Sequence, residues 1–180
     1  MTATETDELA SEVESLRARV EEMGEVGDGE EKMSIIATKG TLDMAYPPLI
    51  LASTAAAFGW DVRVFHTFWG LDIIHEDKTA NLRVNPVGPD FPIPNIVAVL
   101  PGMERLATWM MKRKIAANDT ATVSELVETC IDTGVELQAC QMTMDLMGYE
   151  DDDFPEEVTT GVGAATAFRF MSDAEIQLLV

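Results

Sequence analysis

From residue 33 onward, short apolar runs alternate with segments of helical periodicity. Three of these runs have the length of buried strands: residues 33–38, 61–66 and 135–139. Between the first two, residues 42–58 are rich in alanine and leucine and stop at Gly59, which indicates a helix. A strand–helix–strand unit favours parallel strands, so the pattern predicts a compact, layered α/β fold with a mainly parallel central sheet.

The remaining elements follow from the same signals. Helices are predicted over residues 103–117, 122–132 and 164–171, and a fourth strand over residues 157–162. Residues 150–153 are predicted to form an acidic loop. From residue 172 we expect a closing turn that packs Leu178 and Leu179. Pro47 and Pro48 either mark the start of the first regular helix or kink it. Thr122 and Ser124 are both candidate caps for the 122–132 helix, and Gly134 is its stop.

The chain divides near residue 33 into an acidic segment, residues 1–32, and an α/β domain, residues 33–180. Apolar residues in the first segment have heptad spacing: Leu9, Val13, Leu16, Val20 and Met23. This spacing fits a parallel two-stranded coiled coil or an amphipathic helix docked on its own domain. Three glycines and four acidic residues in residues 24–31 indicate a flexible linker.

The middle of the chain is the hardest part to assign. Four prolines in residues 81–95 predict a long loop, which suits a lid, a binding surface or an oligomer contact. Periodicity does not distinguish strand from helix for residues 95–100. The basic cluster Lys112, Arg113 and Lys114 is unusual in so acidic a chain, and we expect ordinary charge pairing on a helix surface rather than an acidic partner.

The charge excludes several classes of function. With 32 acidic and 12 basic residues the net charge is −20, which opposes binding to nucleic acid and to anionic lipid. Salt screens such self-repulsion, so we expect a halophilic protein. The amino terminus is acidic where a signal peptide is basic, and no apolar run approaches 20 residues, so we expect a cytoplasmic protein without membrane insertion.

The two cysteines have different surroundings. Cys140 follows an apolar strand and precedes a helix that Gly148 ends, and the amino end of a helix favours a thiolate over a thiol. Cys130 shares a helix face with Leu126 and Val127 and is predicted to be a core thiol. The two cysteines have no recognised zinc spacing and the chain has only two histidines, so we expect neither a metal nor another cofactor.

Three stretches resemble the DsrE/DsrF-like sulfur-relay family, and most closely its branch of stand-alone proteins that carry a peroxiredoxin label. They are FHTFWGL at residues 65–71, PGM with ATWMMK at residues 101–112, and ACQMTMDLMG at residues 139–148. The resemblance implies a compact α/β fold, a homo-oligomer and a reactive cysteine, Cys140, that carries sulfur as a persulfide or thiosulfonate. It also implies a sulfur donor and acceptor thiol proteins as partners, among them small sulfur carriers similar to TusA.

Ligands of open parallel sheets gather at the carboxyl ends of the strands. In this chain those ends carry Cys140 and six candidate binding residues: Lys39, Gly40, Thr67, Phe68, Trp69 and Gln141. We expect Lys39 to stabilise a thiolate or an anionic donor. The N–H groups of Gly40 and Gln141 are candidates for binding the donor's oxygens. The aromatic pair is expected to shield a persulfide from water.

The leading hypothesis is a cysteine-based sulfur carrier or sulfurtransferase that exchanges sulfur by thiol displacement. The sequence does not distinguish a carrier from an enzyme that turns over repeatedly. The alternative is a non-catalytic oligomeric module that binds a small anion or nucleotide, in which Cys140 only packs. A peroxidase is disfavoured because the chain has no Thr-x-x-Cys motif.

Overall fold

A computed structural model describes residues 31–85 and 102–180. Within these ranges five strands form one sheet: β1 (Lys32–Ala37), β2 (Asp61–His66), β3 (Glu136–Cys140), β4 (Thr159–Val162) and β5 (Ile176–Leu179). Their order across the sheet is β4–β3–β2–β1–β5, and every neighbouring pair is parallel. The predicted α/β fold with a parallel central sheet is confirmed.

Helices connect the strands. They are α1 (Leu42–Ala57), α2 (Glu76–Thr79), α3 (Met103–Ala117), α4 (Val123–Asp132), α5 (Gln141–Met147) and α6 (Ala164–Ser172), with 3₁₀ helices at Phe68–Ile73 and Asp151–Asp153. Five of the six α-helices begin and end within one residue of the predicted positions, and α2 was not predicted. The 3₁₀ helix at Asp151–Asp153 replaces the predicted acidic loop.

Local sequence signals explain most helix ends. Helix α1 begins at Leu42, ahead of Pro47 and Pro48, so the prolines do not mark its start. They lie in its second turn, where each removes one backbone hydrogen bond. Thr122 caps α4 by accepting the Glu125 N–H, and the Glu125 side chain accepts the Thr122 N–H in return, which forms a capping box.

The carboxyl-terminal residues differ from the prediction. The expected closing turn is present at residues 173–175, and Leu178 packs against the main core, whereas Leu179 is exposed. The prediction missed the strand that follows: Ile176–Leu179 form β5 and extend the sheet beside β1, with Met33 opposite Ile176. The Val180 N–H donates to the Ile36 carbonyl, and the Thr38 N–H donates to the Val180 carbonyl. The edge of β1 is therefore covered by the last strand of the chain.

The two faces of the sheet are covered unequally. Alternate residues of β1, β2 and β3 point toward α1 and α4, where they form the main core with residues such as Ile35, Val64 and Leu137, all fully buried. The opposite face carries α6 and a smaller apolar cluster of Phe65, Cys140, Val162 and Ala167. Cys140 thus lies on the α6 side of the sheet.

Several predictions fall on residues outside the described ranges. These are the heptad segment, most of the glycine-rich linker, most of the proline-rich loop and the run at residues 95–100.

Candidate functional site

The carboxyl ends of the parallel strands meet at one edge of the sheet, and most of the predicted site residues follow them directly. Residues 38–40 follow β1, and residues 67–69 follow β2. Cys140 ends β3, and Gly163 follows β4 as the N-cap of α6. The edge therefore collects the predicted site residues from three strands, with Gly163 after the fourth strand beside them, as a parallel sheet requires.

Cys140 is the last residue of β3 and the N-cap of α5. It pairs with Val162, the last residue of β4, across an irregularity in the strand register. Its neighbours are apolar: Phe65, Val162, Ala167 and the partly buried Ile36. The sequence led us to expect a reachable thiol, but only 3% of the residue is exposed in the single chain. Helix α6 and the end of β4 form the cover.

Thr143 links the loop after β2 to the helix that starts at Cys140. Its hydroxyl lies 3.1 Å from the Thr67 hydroxyl and accepts the Phe68 N–H at 3.2 Å. Thr143 is fully buried, and Phe68 has a φ of +49°, a left-handed conformation that is unusual for a bulky residue. The two hydrogen bonds hold Phe68 in this conformation beside α5. Sequence reasoning missed Thr143.

Phe68 and Trp69 form an aromatic pair at the same edge. Their ring centroids are 6.0 Å apart with 26° between the planes. Trp69 is 63% exposed, so this ring is not part of the core. Gly40 lies against this loop: an added Cβ at Gly40 would lie 2.1 Å from the Trp69 carbonyl oxygen. Only glycine fits this contact.

The remaining predicted residues are less closely associated with the thiol. Lys39 is exposed on the loop after β1, and β2 separates β1 from β3, a distance of about 10 Å at the usual strand spacing. The Gln141 side chain donates to Asp145 on its own helix at 2.7 Å. The structure therefore joins Thr67 and Phe68 to α5 through Thr143, while Lys39 lies two strands away.

His66 ends β2 and is fully buried. Burial lowers its pKa to about 4, against the smaller opposing effect of backbone hydrogen bonds to Gln138 and Val64. Its Nδ1 lies 3.3 Å from the Gln138 carbonyl oxygen, which can only accept, so Nδ1 carries the proton of the neutral ring. His66 therefore supplies no positive charge to this edge at neutral pH.

Cys130 is a core thiol, as predicted. It is fully buried on α4, and its Sγ donates to the Leu49 carbonyl at 3.4 Å. Burial raises its pKa to about 12, so its thiolate is scarce at neutral pH. Cys130 lacks the properties of a sulfur-exchanging cysteine.

A second polar cluster ties together the loops at this edge. Tyr149, just after α5, donates to Asp72 at 2.8 Å, and Lys78 donates to both Asp72 and Tyr149. The His75 and Phe154 rings pack edge-on against Tyr149. The contacts of Tyr149 with Asp72, His75 and Lys78 join residues more than 70 positions apart, and no local sequence signal indicated them.

The described ranges contain neither a candidate metal-ion cluster nor a candidate membrane-spanning helix. Within residues 31–85 and 102–180, no group of three or more histidine, cysteine, aspartate or glutamate residues is placed to hold a metal ion. None of the helices in those ranges is long and apolar enough to cross a membrane.

The chain is similar in sequence to a known family and to known proteins. The sequence model of the DsrE/DsrF/DrsH-like family matches residues 29–179. The chain is 43% identical over 160 residues to the sulfur carrier protein DsrE2 of Allochromatium vinosum, which covers 84% of this chain and 99% of that protein. It is 27% identical over 157 residues to the uncharacterized protein YrkE of Bacillus subtilis, which covers 81% of this chain and 92% of that one.

The fold has a counterpart among solved structures. The protein of unknown function MTH1491 from Methanobacterium thermoautotrophicum superimposes with a TM-score of 0.50 over 83% of this chain and 99% of its own. The sequence identity is 13%, so this similarity concerns the fold alone.

Proposed function

The chain belongs to the DsrE/DsrF/DrsH-like family, and from this premise we propose that it is a sulfur carrier that holds a transferable sulfur atom on Cys140. The similarity to the sulfur carrier protein of Allochromatium vinosum extends over nearly the whole length of that protein. The observation that carries the proposal is the position of Cys140, at a strand end where two helices begin. Both cysteines are buried, but Cys130 lies within α4 rather than at a helix start, and burial raises its pKa to about 12.

The edge around Cys140 suits an anionic sulfur donor. Helix α5 starts directly after Cys140, and α6 starts directly after Val162 and Gly163, beside it in the sheet. The first N–H groups of a helix lack partners within the helix, and together with the helix dipole they favour negative charge. A sulfonate or sulfane sulfur bound at this edge gains from both helix starts.

Sulfur exchange at Cys140 is a displacement reaction. The thiolate attacks the sulfane sulfur of thiosulfate, a sulfur–sulfur bond forms on the protein, and sulfite leaves with the electron pair of the bond that breaks. Attack on tetrathionate instead gives a protein thiosulfonate and releases thiosulfate. In either case an acceptor thiolate then attacks the carried sulfur, and Cys140 returns as a thiolate.

The buried position of Cys140 sets a condition on this chemistry. A donor reaches the sulfur only when the cover formed by α6 and the end of β4 moves or when a partner displaces it. The residue of α6 that packs against Cys140 is small, Ala167, and Gly163 connects the end of β4 to α6. Between exchanges, the same cover protects a persulfide from water and oxidants.

Exposed apolar side chains near the site support protein partners. On the elements that adjoin Cys140 these are Phe68, Trp69, Met142, Leu146 and Phe168, each at least 39% exposed. Exposed apolar residues that cluster beside a site are typical of protein contacts. We propose that they receive donor or acceptor thiol proteins, such as small carriers similar to TusA, or neighbouring subunits of a homo-oligomer.

Loading followed by transfer tests this function. The reduced protein is incubated with thiosulfate, tetrathionate or polysulfide, freed of small molecules, and mixed with an acceptor thiol. We expect an intact mass that gains one sulfur or one thiosulfonate group per chain and returns to the unmodified value after mixing. One release per chain indicates a carrier, and continued release with excess donor indicates an enzyme. A protein that stays unmodified, while a known carrier is loaded alongside, rules out the proposal.

One observation favours the alternative of a binding module. A cleft of about 450 Å³ lies at the start of α1, lined by residues that include Thr41, Lys78 and Arg83. The Thr41 hydroxyl is buried and has no hydrogen-bond partner among the described residues. However, Lys78 pairs with Asp72 and Arg83 pairs with Glu104, so both cations of the described lining are already neutralised. At constant ionic strength, phosphate or a nucleotide should therefore fail to raise the melting temperature of a Cys140→Ser variant, whereas the binding module requires that one of them raise it.

A further inference from the structure

Helix α3 has two apolar faces, and the domain covers only one of them. Ala107, Met111 and Ile115, spaced four residues apart, pack toward the body of the domain. At 100° per residue, Leu106, Trp109 and Met110 lie on the opposite side, where they are 44%, 56% and 39% exposed. We call these three residues the outer strip of α3.

Positive charge surrounds the outer strip. Four of the twelve basic residues of the chain lie on α3: Arg105, Lys112, Arg113 and Lys114. Arg113 lies within the strip, over the Trp109 ring at 5.5 Å, while Arg105 and Lys114 flank it on either side. None of these three forms an ion pair with an acidic residue of the described ranges, so the charge pairing expected from the sequence is not observed there. Lys112 donates to the Ala80 carbonyl.

We propose that the outer strip of α3 is the docking site for the amino-terminal segment of the same chain, residues 8–23, bound as an amphipathic helix. An exposed apolar strip with cations along its flanks fits a helix with an apolar seam and acidic surroundings. Most of this protein's surface is acidic and would repel such a helix. The proposal is independent of the sulfur chemistry at Cys140.

The amino-terminal segment has the required chemistry. Its apolar seam is Leu9, Val13, Leu16, Val20 and Met23. Residues 1–30 carry ten acidic residues and two arginines, a formal charge of −8, and residues 5–14 carry five acidic residues and no basic one. Docking would therefore join a strongly acidic segment to the most basic helix of the described chain.

The connection is long enough. Glu31 directly precedes β1, at the opposite end of the strands from the loops that contact α3. Six residues of β1 span about 20 Å. The eight residues 24–31 reach up to about 27 Å when extended. A tether of this length keeps the segment at roughly millimolar effective concentration near α3, which favours docking within one chain over pairing between chains.

Hydrogen exchange of the full-length protein tests the proposal. We expect backbone amides of residues 8–23 to exchange at least about tenfold more slowly than in an unstructured chain, because a docked helix protects them. The double variant Trp109→Ala/Met110→Ala should lose most of this protection. Phe168→Ala, which removes an exposed aromatic ring on α6 instead, serves as the matched control and should leave the protection unchanged.

A reciprocal variant probes the other side of the contact. Leu16→Asp disrupts the seam, so oxidative labelling of Trp109 and Met110 should increase while labelling of the exposed Trp69 stays constant. Hydrogen exchange of the unmodified protein at several concentrations, with sedimentation to report its oligomeric state, should show that the protection of residues 8–23 does not depend on protein concentration. Absence of protection, protection that survives Trp109→Ala/Met110→Ala, or protection that appears only with dimer formation would each overturn the proposal. The last result would instead indicate a coiled coil between chains.

Discussion

Replacing His66 by asparagine should remove a large part of the acid sensitivity of this protein. His66 is fully buried with a pKa of about 4, whereas histidine in an unfolded chain has a pKa near 6.5. Between these values the unfolded chain binds more protons than the folded one. Stability from this residue is therefore complete above pH 6.5 and falls as the pH drops toward 4.

The two pKa values give the size of the effect. Lowering the pH from 7 to 5 should cost the wild type about 2 kcal/mol through His66, and lowering it to 4 should cost about 3 kcal/mol. In His66→Asn the side-chain amide can still donate to the Gln138 carbonyl, but it cannot take up a proton. The variant should be less stable at pH 7, because the smaller side chain leaves a cavity, and should lose less stability on acidification.

Urea unfolding at pH 7, 6 and 5, in molar salt to limit charge repulsion, measures this difference. Val64→Ala, a deletion at a fully buried neighbouring site, serves as the control and should lower stability by the same amount at each pH. If His66→Asn loses as much stability between pH 7 and 5 as the wild type does, then His66 is not a buried neutral histidine and the reasoning fails.

Three further predictions concern the site edge and the surface charge. Thr143→Val keeps the shape of the side chain but leaves the Phe68 N–H without its acceptor. The free energy of unfolding should therefore fall by about 1–3 kcal/mol, and sulfur loading should slow. An unchanged loading rate would show that Thr143 has no part in sulfur loading. Gly40→Ala forces a contact with the Trp69 carbonyl and should lower the free energy of unfolding by about 1–3 kcal/mol or more. Gly163→Ala, with open space around the added methyl, should lower it by less than about 1 kcal/mol. Equal losses for the two variants in calorimetry would contradict the geometry. The melting temperature should rise from dilute buffer to molar salt because the net charge is −20, and a flat or falling curve would contradict a halophilic surface.

The sequence was sufficient for the elements whose signals are local. The residues after Cys140 have helical spacing up to Gly148, which has a φ of +71° in the structure, and Thr122, one of the two candidate caps, is the N-cap of α4. The same local reasoning failed for β5. Its residues are mostly exposed and lack alternation, and they form a strand because the edge of β1 is open to them.

The site itself depends on contacts between distant residues. Cys140 was placed correctly at the end of its strand, but its burial depends on where α6 crosses the sheet after β4, and periodicity does not specify that crossing. The hydrogen bonds of Thr143 reach the loop after β2, about 75 residues earlier in the chain. Such pairings arise only when the strands are in register.

Peptide mapping shows which cysteine carries the sulfur and so tests directly whether Cys140 is the carrier. The wild type, Cys140→Ser and Cys130→Ser are incubated with thiosulfate or polysulfide, and each cysteine-containing peptide is analysed by mass spectrometry. We expect an added sulfur on the Cys140 peptide of the wild type and of Cys130→Ser, and no loading of Cys140→Ser. Sulfur found on Cys130, or an unmodified Cys140 under conditions that load a known carrier, would contradict it.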